Sequence, residues 1–104
     1  MQPNPNVRQI QQSPLYQGIG ESIAWPVDVS AWVSGPTSPV VKIYRASDNE
    51  DLTSTLLPGA ATVSGDVITC PLLSGLTLGV KYRLEVKFTV GSNIFVAWAW
   101  VWGQ

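Results

Sequence analysis

Apolar and polar residues alternate along this chain with a period of two, and no stripe recurs every third or fourth position. The pattern is cleanest from Val80 to Val90. Val80, Tyr82, Leu84, Val86, Phe88 and Val90 fall on one side, and Lys81, Arg83, Glu85, Lys87 and Thr89 on the other. That spacing predicts a strand with its apolar face inward and its charged face outward. Ile23, Trp25, Val27, Val29 and Ala31 alternate with Ser22, Ala24, Pro26, Asp28 and Ser30 in a second half-buried strand. Pro26 lacks an N–H, which places it at a sheet edge or a bulge. Further strands are predicted over Val40 to Arg45 and over Leu52 to Leu57, the latter ended by Pro58-Gly59. Thr62 to Thr69 reads as a tight hairpin around Gly65, which is free to take positive φ. Ser34 to Pro39 is a turn, and Ile94 to Trp102 is a closing strand. Together these elements predict an all-β fold, an antiparallel sandwich of about seven short strands.

Residues 1–18 differ from the rest. They are rich in Gln, Asn and Pro and have little to bury. They are read as an extended N-terminal arm on a domain that spans 19–104. Such an arm either frays or lies along a neighbouring subunit.

The closing strand is apolar on both faces. One set is Ile94, Val96, Trp98, Trp100 and Trp102; the other is Phe95, Ala97, Ala99 and Val101. Hairpin register decides which set meets the core, because a one-residue slip exchanges the faces. A two-residue Gly91-Ser92 loop of type II′ would set Phe88 opposite Phe95, Val86 opposite Ala97 and Leu84 opposite Ala99. The three Trp would then lie outside, among Lys81, Arg83, Glu85 and Lys87. A three-residue loop would send all three indoles into the core. The first register is favoured, because three adjacent indoles bring several hundred Å² of bulk to one face, on the order of 150–250 Å² each. It leaves Trp98, Trp100 and Trp102 as an apolar patch with Arg83 and Lys87 near enough to stack on it. A monomer rarely leaves such a patch bare, so these five residues are the candidate subunit interface.

Composition narrows the chemistry. The chain has no His and one Cys, which removes His-based triads, histidine metal ligands and an intrachain disulfide. Six basic residues face seven acidic ones, a net charge of -1, which argues against a partner held by a basic surface such as nucleic acid. Asp48, Glu50 and Asp51 crowd one loop but lack an EF-hand pattern, and read as solvated rather than as a Ca²⁺ site. Asp28 and Glu21 have nothing to place them in a cleft as acid and base, and no Ser has a base beside it. Gly18-Ile19-Gly20 is too short for a phosphate loop. Cys70, beside Pro71, reads as a small buried thiol. No enzyme and no cofactor are expected. There is no basic start followed by an apolar stretch, and no apolar run of the roughly 18 residues that a membrane helix needs, so synthesis in a cytoplasm is expected, with retention there unless the chain leaves inside a larger particle, and with no membrane partner.

Leu76-Thr77-Leu78-Gly79-Val80-Lys81-Tyr82-Arg83-Leu84 resembles the Leu-x-x-Gly-x-x-Tyr-x-Leu signature before strand F of fibronectin type III and other immunoglobulin-like domains. The resemblance implies a tyrosine corner built from Tyr82, Leu76 and Gly79. The wider stretch from Thr62 to Trp102 is similar to small immunoglobulin-like structural proteins of tailed bacteriophages. It shares a Val-Ser-Gly-Asp hairpin, a Tyr-Arg-Leu-Glu-Val strand and a Gly-Ser-Asn turn. That likeness implies a virion protein in capsid decoration, neck or tail, partnered by other virion proteins and by itself as a homo-oligomer. The alternative is a carbohydrate-binding β-sandwich module that stacks exposed Trp on sugars, although three indoles spaced about 7 Å apart crowd a sugar ladder.

Overall fold

A computed structural model describes residues 9–10 and 13–104. The chain forms β1 (Leu15–Gln17), β2 (Pro26–Asp28), β3 (Thr37–Arg45), a single helical turn α1 (Thr53–Leu56), β4 (Thr62–Ser64), β5 (Val67–Thr69), β6 (Lys81–Val90) and β7 (Asn93–Gly103). Two sheets result, one of four strands in the order β1-β7-β6-β3 and one of three in the order β2-β5-β4. They share one core. Val41, Ile43, Leu84, Val86, Phe88, Ala97 and Ala99 come from the first sheet, and Val27 and Ile68 from the second.

The β6–β7 hairpin takes the register of a two-residue loop. Val90 pairs with Asn93, Phe88 with Phe95, Val86 with Ala97, Leu84 with Ala99 and Tyr82 with Val101. Gly91 sits at φ 61, and Ser92 is not among the positive-φ residues, as a type II′ turn requires. Large residues on β6 thus meet small ones on β7, and Ala97, Ala99 and Val101 are fully buried. A larger side chain at Ala97 or Ala99 would collide with a core already closed by Val86 and Leu84.

The structure corrects several expectations. The sheets are not wholly antiparallel, since β1 runs parallel to β7, with Leu15 opposite Val101 and Gln17 opposite Gly103. β1 enters from the N-terminal side without a hairpin, so nothing forces the antiparallel direction. Part of the expected arm therefore lies on this chain's own sheet, and Ile10 and Leu15 are buried in its core. The rest of the expected arm, residues 1–8, 11 and 12, lies outside the described residues. Leu52–Leu57 is not a strand. Asp51 Oδ1 accepts the Thr53 N–H, and the chain turns helically so that Leu56 and Leu57 both reach the core. The strand expected over Ile23 to Ala31 is regular only at Pro26–Asp28 and bends away through the Val29–Val33 turn. There Val27 is buried between exposed Pro26 and Asp28, with β2 at the edge of its sheet.

Gly103 shows why β7 ends where it does. A Cβ there would fall on the Thr77 carbonyl oxygen, because the loop before β6 crosses over the strand end. The backbone is joined there by Gly79 N–H to Gly103 O at 2.9 Å and Gly103 N–H to Val80 O at 3.1 Å.

Candidate interaction face

Alternation on β3, β6 and β7 projects a grid of side chains from the outer side of the four-stranded sheet. Val40, Lys87 and Val96 form one rung across the three strands; Lys42, Glu85 and Trp98 the next; Tyr44, Arg83 and Trp100 the third. Lys81 and Trp102 follow, with Tyr16 of β1 beside Trp102. The three Trp are half-buried, whereas Tyr16, Val40, Ile94 and Val96 are strongly exposed, Ile94 at 62%. The indoles therefore stand outside a core that small residues have closed beneath them.

The indoles are fixed by their neighbours. Trp98 and Trp100 meet edge to face, with centroids 5.3 Å apart at 76°. Lys81 Nζ lies 4.1 Å from the Trp100 ring centroid and 5.7 Å from that of Trp102. The expected cations, Arg83 and Lys87, take other places. Arg83 stacks on Tyr44, 4.9 Å from its ring, donates to Glu85 Oε2 at 2.7 Å and reaches Asn49 Oδ1 at 2.9 Å. Lys87 borders a hollow of about 320 Å³ shared with Val40, Lys42, Tyr44, Glu85 and Val96. A second hollow of about 290 Å³ lies between Arg83, Glu85, Val96, Trp98 and Trp100. The N-terminal segment buttresses the far side of β7. Ile10 N–H donates to Trp98 O at 2.8 Å, and Trp100 N–H donates to Ser13 Oγ at 3.0 Å.

Thr77 N–H donates to the Tyr82 hydroxyl at 2.9 Å, Tyr82 and Leu76 are buried, and Gly79 takes φ 78. The acidic loop is used internally. Arg45 bridges Asp48 and Glu50, each at 3.1 Å, and Asp51 caps the helical turn. Hydrogen bonds from Thr53 lower the Asp51 pKa, and hydrogen bonds from Ser30 lower that of Asp28. Among the described residues, no group of three or more His, Cys, Asp or Glu is placed to hold a metal. Burial pushes the Cys70 thiol up to about 12. No helix among the described residues is long and apolar enough to cross a membrane.

No family model, curated protein or solved structure matches this chain.

Two structural features went unread in the sequence. Gln17 is fully buried, and all of its bonds are internal. Its amide nitrogen donates to Leu73 O at 2.6 Å and to Glu21 O at 3.0 Å, and its oxygen accepts the Trp25 indole N–H at 2.8 Å. It clasps β1 to the chain that leads into the other sheet. Its only sequence signal is the Leu-Tyr-Gln alternation after Pro14, too short to stand out from a Gln-rich segment. The second is that Lys81, already placed near the indoles by the favoured register, is the cation that stacks on Trp100.

Proposed function

We propose that this chain is a non-enzymatic assembly domain with an immunoglobulin-like fold, a structural protein of a bacteriophage particle that joins protein subunits through the outer face of β7 and β6. Strand grouping supports the fold: β3, β6 and β7 share one sheet and β2, β5 and β4 the other, the CFG and BED groupings of an immunoglobulin-like sandwich. The Thr77–Tyr82 bond supports it as well. The virion setting comes from the sequence likeness alone.

One observation carries the contact reading. Trp98, Trp100 and Trp102 are held outside a closed core, in line with exposed Val96 and Ile94. Burying such a row against a partner is worth roughly 25 cal/mol for every Å² of apolar area removed from water. Indoles and Arg are frequent anchors of protein contacts. A sugar platform fits less well. The edge-to-face pair cannot offer two coplanar rings to one sugar chain, and the residues between the indoles on β7 are buried Ala and Val without hydrogen-bonding groups.

Oxidative footprinting of the tryptophans tests this reading. In the free chain Trp98, Trp100 and Trp102 should be modified. In the assembled particle these three should be protected, and Trp25, packed against the core and bonded to Gln17, should change little. Equal modification of the three in both states would remove this face from the contact.

A further inference from the structure

We infer that the partner of this face is a protein surface carrying carboxylates beside apolar side chains, and not the same face of a second copy; the inference rests on the reading that this face is a contact. Charge placement carries it. Five of the six basic residues lie on β3 and β6, and the sixth, Arg8, lies outside the described residues. Arg45, at the end of β3, is held by Asp48 and Glu50. The other four, Lys42, Lys81, Arg83 and Lys87, occupy the grid beside the indoles, where Glu85 is the carboxylate on the strands themselves and Asp51, bridged to Tyr44 at the β3 edge, lies near enough to act on Lys42. Four cations to two carboxylates still make a cationic face on a chain whose net charge is -1. The remaining carboxylates are elsewhere, Asp28 on β2 and Asp66 at the β4–β5 turn among them.

Arg83 is occupied by Glu85 and Lys42 is partly answered by Asp51, which leaves the lysine row short of carboxylates. Lys81 is stacked on Trp100. Lys42 and Lys87 are exposed around a hollow whose other walls include Val40, Val96 and Tyr44. Two copies packed face to face would bring lysine rows together in a contact that excludes water, where like charges repel most strongly. Residues 1–8 contain no Asp or Glu, so the start of the chain has the wrong chemistry to satisfy these lysines. A nucleic acid would match the charge. It would also set phosphates against Glu85, and the edge-to-face Trp98 and Trp100 do not offer parallel rings to adjacent bases. The apolar row of Val96 and Ile94 suits side chains better than a sugar-phosphate backbone.

Three probes separate these partners: a short peptide alternating Leu and Glu, its Leu/Lys counterpart, and oligothymidylate. Binding is read from the indole fluorescence of the full chain. The Leu/Glu peptide should bind best and weaken as salt is added. The Lys42→Glu/Lys87→Glu variant, altered only at exposed positions, should bind it about tenfold less tightly and should come to favour the Leu/Lys peptide. Equal binding of the two peptides, no binding of the Leu/Glu peptide, or tighter binding of oligothymidylate would overturn the inference. Trp100→Ala separates this failure from failure of the contact reading. If it loses the peptides while charge reversal changes nothing, the face remains a contact and the carboxylate-bearing partner is wrong. If the Leu/Glu peptide binds Trp100→Ala as it binds wild type, the face itself is not the contact.

Discussion

Replacing Gln17 by Leu tests whether the buried amide is a structural clasp. Gln17 is fully buried and makes three hydrogen bonds, so the substitution removes all three at nearly constant volume. The consequences differ at each partner. Leu73 O keeps the Ile23 N–H, at 3.1 Å. Glu21 is exposed, so its carbonyl can turn to water. The Trp25 indole N–H loses its acceptor in a half-buried site, which costs about 1–3 kcal/mol. The other two bonds are worth about 1 kcal/mol each, and the added apolar surface of Leu offsets roughly 1 kcal/mol. The net loss should be about 2–4 kcal/mol, a large share of the 5–15 kcal/mol of an ordinary domain. Urea unfolding followed by tryptophan fluorescence should show a lower midpoint at an unchanged slope. Trp25→Phe removes the orphaned donor, so the double variant should recover about 1 kcal/mol relative to the sum of the singles. A loss below about 0.5 kcal/mol, or strict additivity with Trp25→Phe, would refute the clasp.

Three further outcomes are expected. Gly103→Ala should destabilise by about 2–4 kcal/mol in thermal unfolding, because its Cβ meets the Thr77 carbonyl rather than a side chain able to move. Tyr82→Phe should cost about 1 kcal/mol in the same assay, from the lost acceptor for Thr77 N–H, with little change elsewhere. Cys70 should give a pH dependence. Its folded pKa, about 12, lies above the unfolded value near 9, so the folded chain holds its proton more tightly. The stability from this group is fully present below the unfolded pKa and is lost as pH rises toward the folded one. Between roughly pH 9 and 11 the wild type should lose stability faster than Cys70→Ala, approaching 1.4 kcal/mol per pH unit, as compared by urea unfolding.

What the sequence disclosed depended on the length of each pattern. β6 and β7 were legible because ten or more residues alternate around a Gly-led two-residue turn, and their register fixed the outward placement of three indoles. Thr53–Leu56 was not legible. A single helical turn has too few residues to show a helical period, and consecutive Leu56 and Leu57 look equally like a strand. β1 was hidden for the same reason, since three residues carry little periodicity and their pairing is with the far end of the chain. The indole face was legible in its location but not in its electrostatics. Arg83 was drawn aside by Tyr44, Asn49 and Glu85, two of them from other parts of the chain, and strand alternation alone does not report such neighbours.

The central claim is that the indole row is a contact and not a core. Trp100→Ala decides it, through paired measurement of association by light scattering and of melting temperature. Trp100 is half-buried over a closed layer of Ala97, Ala99 and Val101, so its removal should cost the isolated domain about 1–2 kcal/mol, well below the 3–5 kcal/mol of a fully buried Trp. Association of that variant with its assembly partner should be lost at concentrations where the wild type is assembled. Unchanged association together with a collapse in melting temperature would place Trp100 in the core and contradict the account.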